Sequence, residues 1–271
     1  MRIKVNGIEL NADISGSGHP LLLLHGFTGS ARSWDRFLPL WNERYRTVAV
    51  DIIGHGASDC PGDSARYSME HAVRDITALL DALNIDRAAV LGYSMGGRLA
   101  LSLAALAPER VHTLLLESAS PGLKTREERE ARIRQDEALA ERIEREGVTQ
   151  FVAWWENIPL FQGIRRMSAE VQQRLRSERL RNRPEGLAHS LRGMGTGAQP
   201  SWWDRLCDIR VPALLLSGER DDKFCAIAGE MKSALPDSTH ITVSRAGHTI
   251  HVEQAEIFGT IIKEYLDERM M

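Results

Sequence analysis

The pentapeptide Gly92-Tyr93-Ser94-Met95-Gly96 constrains the fold of this 271-residue chain more than any other feature. An apolar run at residues 88–91 precedes it, and a helical pattern at residues 95–106 follows it. Gly-x-Ser-x-Gly between a strand and a helix predicts a sharp turn in which the serine has a strained backbone. The two glycines leave room for that turn. We therefore expect Ser94 to present its hydroxyl above the end of a strand.

Short apolar segments alternate with amphipathic helical patterns along the rest of the chain. Strands are predicted at residues 21–24, 47–51, 88–91, 113–117, 213–217 and 240–243, after a hairpin within residues 1–14. Helices are predicted at residues 68–83, 95–106, 226–235 and 255–267. Apolar strands joined by helices are typical of a mostly parallel sheet that helices cover on both faces. The sequence therefore predicts an α/β fold.

The alternation of strands and helices stops after the strand at residues 113–117, which is the sixth when the two strands of the hairpin are counted. Residues 124–192 contain fourteen arginines and one lysine against twelve carboxylates, in a helical pattern without an apolar strand. We expect a helical cap at residues 120–205, inserted between two core segments at residues 1–119 and 206–271. Ion pairs between neighbouring turns explain most of these arginines, but a few of them suit an anionic ligand, because a guanidinium binds a carboxylate through two hydrogen bonds.

Composition excludes several other classes of protein. Three scattered cysteines and a net charge of −3 favour neither a disulfide framework nor a Cys-based metal site nor a nucleic-acid partner. The N-terminal segment lacks the apolar stretch of a signal peptide, and no apolar run is long enough for membrane insertion. We therefore expect a cytoplasmic protein without a cofactor. The sequence leaves open a monomer or a small homo-oligomer.

A catalytic serine needs a base, and the base needs a carboxylate to orient it. Asp221, after the strand at residues 213–217, is the predicted acid, with Asp222 and Glu219 as alternatives. The predicted base is His248, after the last strand, with His251 as the alternative. The order Ser94, Asp221, His248 is the chain order of α/β hydrolases.

An oxyanion hole needs two backbone N–H groups that point at one developing charge. Met95, directly after the serine, is expected to provide one of them, and Phe27 in the loop after residues 21–24 the other. We interpret His25 beside it as a structural turn residue. Together with the elbow and the triad, this loop predicts the α/β-hydrolase fold.

Five segments carry a more specific resemblance, which spans nearly the whole chain. They lie at residues 92–98, 117–123, 154–161, 195–201 and 218–224. In order and spacing they resemble the MenH family, the 2-succinyl-6-hydroxy-2,4-cyclohexadiene-1-carboxylate (SHCHC) synthases of menaquinone biosynthesis, in its Gram-positive form. The arginine at position 98, four residues after Ser94, is part of this resemblance.

The resemblance implies a lyase rather than a hydrolase. MenH enzymes remove a ring proton from 2-succinyl-5-enolpyruvyl-6-hydroxy-3-cyclohexene-1-carboxylate, and elimination then releases pyruvate. In that reading Ser94, activated by His248 and Asp221, is the base. The amides of Phe27 and Met95 stabilise the charge on the succinyl carbonyl, and Tyr93 lies near the same substrate.

The small-molecule substrate so implied carries three carboxylates. Matching the family's motifs implies that Arg98, Arg132 and Arg181 bind them, with Trp154 and Phe161 as aromatic pocket residues. Other arginines crowd the segment around Arg181, at positions 176, 179 and 183. The two aromatic residues could instead belong to the core of the cap.

Two positions depart from the family pattern. Ile53 and Ala255 replace prolines that the family commonly has, and neither change affects Ser94, His248 or Arg98. Two alternative functions remain at this stage. One is a carboxylesterase or carbon–carbon bond hydrolase, and the other is a non-catalytic receptor, which the complete set of triad residues disfavours.

Overall fold

An eight-stranded sheet forms the centre of the computed structural model, which describes residues 1–270. In chain order the strands are β1 (Arg2–Val5), β2 (Ile8–Ser15), β3 (His19–Leu24), β4 (Tyr45–Val50), β5 (Ala88–Tyr93), β6 (Val111–Glu117), β7 (Ala213–Gly218) and β8 (Ser238–Val243). Their spatial order is β1-β2-β4-β3-β5-β6-β7-β8. β1 pairs with β2 and β2 with β4 in antiparallel fashion, and all the remaining pairs are parallel. The predicted fold class is confirmed.

Helices cover both faces of this sheet. In chain order they are α1 (Leu38–Trp41), α2 (Met69–Ala82), α3 (Met95–Leu106), α4 (Arg126–Trp155), α5 (Ala169–Arg179), α6 (Pro184–Met194), α7 (Asp222–Ala234), α8 (Ile250–Glu253) and α9 (Ala255–Arg269). Because side chains alternate across a strand, Leu22 and Leu24 of β3 belong to the apolar core that includes residues of α2, α3 and α7, whereas Leu21 and Leu23 belong to the core on the other face, with residues of α1 and α9. Apolar side chains therefore line each face of the sheet beneath its helices.

Helices and turns make up the whole connection between β6 and β7. α4 bends at Gly147, whose φ of +75° interrupts the helical backbone. Residues of α4 and α6, among them Ile143, Phe151 and Leu187, form a small apolar core apart from the two sheet faces. These observations support our proposal that residues 120–205 form the cap. No helix within residues 1–270 is both long enough and apolar enough to span a membrane.

Candidate active site

Ser94 lies at the turn between β5 and α3, where the backbone is strained. Its φ of +50° and ψ of −106° are unfavourable for any residue with a side chain. The turn requires glycine at position 96, because a Cβ there would overlap the carbonyl oxygens of Leu24 and His25. The tight packing of α3 against β3 therefore holds the serine in a conformation that it would not adopt alone.

His248 connects Ser94 to Asp221. Its Nε2 atom lies 3.1 Å from Ser94 Oγ, and its Nδ1 atom lies 2.7 Å from Asp221 Oδ2. The imidazole is 2% exposed, and the other carboxylate oxygen of Asp221 accepts a hydrogen bond from the Phe224 N–H at the start of α7. In this arrangement the imidazole is placed to take the serine proton while the carboxylate fixes its tautomer.

The alternative acids and base lie elsewhere. Asp222 is exposed at the first position of α7, and Glu219 accepts a hydrogen bond from the Arg245 N–H at 2.8 Å. His251 is bonded to Glu117 and not to Ser94. The structure therefore brings together the three residues that the sequence favours.

The Glu117–His251 pair lies beneath Tyr93, and the sequence analysis missed it. Glu117, the last residue of β6, is 0% exposed and accepts hydrogen bonds from the backbone N–H (3.0 Å) and Nδ1 (2.9 Å) of His251. The Tyr93 ring packs edge-on against His251, with centroids 4.6 Å apart. Burial and the nearby Glu117 carboxylate raise the pKa of Tyr93, so its hydroxyl, 3.3 Å from Thr249 Oγ1, stays protonated. The position of Glu117 at a strand end beside the elbow was the available signal.

The amides of Phe27 and Met95 are the candidate oxyanion donors. Within residues 1–270 neither N–H donates to another protein group, and both residues line the same cavity as Ser94. Met95 begins α3, where amides have no partner inside the helix. His25 supports the Phe27 loop: its Nδ1 lies 2.8 Å from the Gly26 carbonyl oxygen, and its Nε2 accepts from the Ile52 N–H. These contacts are those of a structural residue.

Two buried imidazoles under this loop predict a loss of stability in mild acid. Burial lowers the pKa of His25, and burial together with the charge of His25 lowers the pKa of His55 to about 3. The pKa of a histidine in an unfolded chain is near 6.5. Below that pH the unfolded state therefore binds protons that the folded state does not bind. We expect the free energy of unfolding to decrease as pH falls from about 6.5 to 5, by up to about 1.4 kcal/mol per unit from His55.

Urea unfolding between pH 7.5 and 5 measures this dependence. Replacing His55 with leucine should make the decrease shallower, whereas glutamine at the exposed His19 should leave it unchanged. Identical slopes for wild type and His55→Leu would contradict the prediction.

A cavity of about 250 Å³ lies above Ser94, between the core and the cap. Its lining includes Ser94, His248, Phe27, Met95, Tyr93, Arg98, Arg132, Lys223, Trp155, Phe161 and the hydroxyls of Ser118, Ser120, Ser190 and Thr196. Arg98, Arg132 and Lys223 are cationic, and the lining includes no Asp or Glu among residues 1–270. Within residues 1–270, no group of three or more His, Cys, Asp or Glu side chains is arranged to hold a metal ion. The cavity is thus suited to a small, multiply anionic molecule.

Arg98 is a buried cation in the wall of this cavity. It is 9% exposed, and its Nη1 donates to the carbonyl oxygen of Met194 (2.7 Å) and to Gln199 Oε1 (2.5 Å). Within residues 1–270 no carboxylate oxygen lies within 4 Å of its guanidinium. Burial and the nearby charge of Arg132 lower the pKa of Arg98 to about 10, against the weaker opposing effect of the Asp136 carboxylate, so Arg98 remains protonated at neutral pH. Two neutral oxygens therefore fix this cation in place without neutralising it.

Arg132 and Phe161 also lie where the sequence places them, at the cavity. Arg132 Nε donates to Asp136 Oδ1, one turn further along α4, at 2.8 Å. The other oxygen of the buried Asp136 has no hydrogen-bond partner within residues 1–270. Phe161 is buried, and the guanidinium of Arg179 lies over its ring at 4.8 Å from the centroid.

Two of the predicted pocket residues lie outside the cavity. Trp154 is 39% exposed and packs under Arg142, while its neighbour Trp155 lines the cavity. Arg181 is exposed, whereas Arg179 is buried beside Phe161. Side chains one or two positions apart in a helical turn point in different directions, so an assignment shifted by one or two residues selects the wrong face. We therefore replace Trp154 with Trp155 as a candidate, and Arg181 with Arg179, which lies behind Phe161 rather than in the cavity lining.

The sheet, the elbow and the Ser94–His248–Asp221 geometry define an α/β hydrolase, and the family model described as "alpha/beta hydrolase fold" matches residues 19–255. A Bacillus subtilis (strain 168) protein, provisionally named as a 2-succinyl-6-hydroxy-2,4-cyclohexadiene-1-carboxylate synthase, is 50% identical over 91% of this chain and 89% of its own. The synthase of that name from Klebsiella pneumoniae (strain 342) is 35% identical over 88% of this chain and 90% of its own.

Two solved structures share the fold of this chain. MenH from S. aureus superposes with a TM-score of 0.92 at 34% identity, covering 97% of this chain and 99% of that one. A thermophilic esterase from Thermogutta terrifontis has a TM-score of 0.87 at 28% identity, with both chains fully covered. The chain belongs to the MenH family of SHCHC synthases, within the α/β-hydrolase superfamily of enzymes. The resemblance seen in the motifs is confirmed.

Proposed function

We propose that this chain is a carbon–oxygen lyase of menaquinone biosynthesis. Its substrate would be 2-succinyl-5-enolpyruvyl-6-hydroxy-3-cyclohexene-1-carboxylate, and its products SHCHC and pyruvate. Membership of the MenH family supports this proposal. The geometry supports it independently, because the site joins an activated serine to a cavity with three cations and no carboxylate within the described residues.

The buried charge of Arg98, which has no ion pair within residues 1–270, is the observation that carries the proposal. A buried cation without an ion-pair partner is unfavourable, because burial removes the water that would otherwise solvate it. A ligand carboxylate would restore the missing interaction and would also be oriented by the fixed guanidinium. An ester hydrolase has no general need for such a charge four residues after its serine.

The triad geometry supports the following course for the proposed reaction. Ser94 Oγ transfers its proton to His248 Nε2 and takes the ring proton next to the succinyl carbonyl. Electrons move into that carbonyl, where the N–H groups of Phe27 and Met95 stabilise the negative charge. As the charge returns, the ring carbon–oxygen bond breaks, and the departing enolpyruvate takes the proton of the His248 imidazolium to become pyruvate. Asp221 stabilises the imidazolium formed in the first step.

The remaining pocket residues would bind and orient the substrate. Arg98 and Arg132 would each bind a carboxylate at the wall of the cavity. Lys223 is the third cation that lines the cavity, and Arg179 lies over the Phe161 ring, outside the lining; both are candidates for the third carboxylate. Trp155 and Phe161 would form the apolar wall against the ring, and the protonated Tyr93 would close the floor of the site.

Release of pyruvate tests the proposal. Purified protein is supplied with the enolpyruvyl substrate, generated in the same cuvette, and pyruvate is followed by a coupled dehydrogenase. We expect release well above the spontaneous rate, and its loss in Ser94→Ala. Release no faster than in the absence of protein would exclude the lyase function.

Ester hydrolysis is the second candidate, because the same triad can form an acyl-enzyme and the Thermogutta terrifontis esterase shares the fold at 28% identity. Activated aryl esters, assayed beside the enolpyruvyl substrate, separate the two. Rapid ester turnover that does not change in Arg98→Ala, together with no pyruvate release, would favour the esterase.

Replacing Arg98 with alanine should chiefly weaken substrate binding. Removal of one partner of a buried charge pair costs about 2–5 kcal/mol, so KM should rise at least about 30-fold. Steady-state pyruvate release measures this change. Arg134→Ala is the matched control, because Arg134 is an exposed cap arginine outside the cavity. A variant that lost thermal stability but kept its KM would show that Arg98 is only structural.

A further inference from the structure

The loop that carries Phe27 has little internal support. Residues 26–30, the oxyanion loop, connect β3 to a short 3-10 helix at residues 31–37. Thr28 in this loop has a φ of +69°, which is unfavourable for a residue with a branched side chain. The loop contains one internal backbone hydrogen bond, from the Gly29 N–H to the Gly26 carbonyl oxygen at 3.0 Å. Its conformation must therefore be fixed by its surroundings.

Asn182, in the turn between α5 and α6, bridges this loop to the core. Its Nδ2 donates to the Thr28 carbonyl oxygen at 2.8 Å, and its Oδ1 accepts from the Gly56 N–H at 3.0 Å. The side chain is 4% exposed, so both bonds are shielded from water. A residue of the cap thus fixes the strained position next to Phe27.

Glu178, near the end of α5, holds the other end of the same loop. Its Oε1 accepts hydrogen bonds from the Ser30 N–H (3.0 Å), the Ser30 hydroxyl (2.9 Å) and the Ser33 hydroxyl (2.7 Å). Hydrogen bonds to a charged acceptor are about twice as strong as neutral ones. The carboxylate therefore anchors the point at which the loop enters the 3-10 helix.

The ring of Phe27 completes this contact between loop and cap. It packs edge-on against Trp155, with centroids 5.6 Å apart, and against Phe151 at 6.3 Å. Both aromatic residues belong to the C-terminal part of α4. The cap therefore contacts the oxyanion loop at its start, middle and end.

We propose that Glu178 and Asn182 are positioning residues that hold the Phe27 N–H in its place in the oxyanion hole. The cap then builds part of the catalytic machinery, and the hole is complete only while the cap is seated on the core. This inference rests on the proposed function in taking the Phe27 amide as an oxyanion donor. Neither Glu178 nor Asn182 lines the cavity, so neither acts by touching the substrate.

Four variants test the proposal: Asn182→Ala, Glu178→Ala, Glu178→Gln and the control Asn157→Ala. Asn157 is an exposed cap residue whose side chain donates only to the carbonyl oxygen of Ala153. Each protein is assayed for kcat and KM of pyruvate release and for the rate at which phenylmethanesulfonyl fluoride modifies Ser94. Hydrogen exchange of the amides in residues 26–33 is measured by mass spectrometry.

We expect kcat to fall about 10- to 100-fold in Asn182→Ala and Glu178→Ala, since loss of a whole oxyanion donor costs about 10²–10³. KM should change less than about 3-fold, and exchange in residues 26–33 should become faster. Glu178→Gln should keep kcat within about 3-fold, because its amide oxygen still accepts two of these hydrogen bonds. Asn157→Ala should match wild type throughout.

Two results would overturn the proposal. One is unchanged kcat in both alanine variants, even with a lower melting temperature, because a merely structural contact would behave in that way. The other is unchanged exchange in residues 26–33. If wild type releases no pyruvate, the proposed function fails, and the exchange and Ser94 modification rates still decide whether these residues position the loop.

Discussion

Replacing His248 with alanine should reduce pyruvate release by at least about 10³-fold while leaving cooperative unfolding intact. His248 Nε2 is the only side-chain acceptor within hydrogen-bond distance of Ser94 Oγ in residues 1–270, so the variant has no group to take the serine proton. The imidazole is held at the end of a loop rather than inside either apolar face of the sheet. Loss of activity should therefore come without loss of the fold.

Steady-state assays and urea unfolding of the same preparation measure both parts of this expectation. His240→Ala is the matched control, because His240 lies outside the cavity and bonds to Ser217. Ser94→Ala should resemble His248→Ala, and the double variant should be no worse than either, since the two residues act as one unit. Activity within about tenfold of wild type in His248→Ala would exclude the triad assignment.

Replacing His251 with alanine should instead lower the free energy of unfolding by about 3–5 kcal/mol. The Glu117 carboxylate is fully buried. It accepts hydrogen bonds from the backbone N–H of His251 and from Nδ1 of the same residue. Removing the imidazole leaves a buried carboxylate with a backbone partner alone. The effect on stability should thus exceed that of any single substitution in the cavity.

A double variant makes this expectation specific. Glu117→Leu together with His251→Leu removes both polar groups, and it should be more stable than His251→Ala, because an apolar pair leaves nothing unpaired. Urea unfolding at pH 7.5 measures the three proteins. A His251→Ala variant with wild-type stability would contradict the prediction that the Glu117–His251 pair stabilises the fold.

The core was predictable because its strands are buried on both faces. In β5 and β7 every residue is buried, and such strands appear in the sequence as uninterrupted apolar runs. The start of α7 was not predictable in this way. The helix begins at Asp222, whereas its apolar pattern predicts a start at residue 226. Asp221 caps the helix, and Lys223 and Phe224 in its first turn face the cavity rather than the core. Periodicity reports only the residues that face the core.

The same distinction explains which site residues the sequence could locate. Ser94 and Asp221 follow the ends of the buried strands β5 and β7, and His248 follows the partly exposed β8. The carboxyl ends of these parallel strands meet at one edge of the sheet, where ligands bind. Trp155 and Arg179 depend on the rotational phase of cap helices instead. Gly147 resets that phase eight residues before Trp155, and α5 is polar nearly all round. The roles of Glu178 and Asn182 depend on contacts with residues about 150 positions away, which no local pattern reveals.

The guanidinium of Arg98, held by two neutral oxygens, has a thermodynamic consequence beyond recognition. The empty enzyme contains a buried charge that a bound carboxylate would stabilise. Resistance to heat and proteolysis should therefore increase with the concentration of its substrate. Replacing Arg98 with a hydrocarbon side chain would remove the desolvated charge, but it would also leave the Met194 carbonyl oxygen and Gln199 Oε1 without their donor, so the empty enzyme would lose affinity without a matching gain in stability.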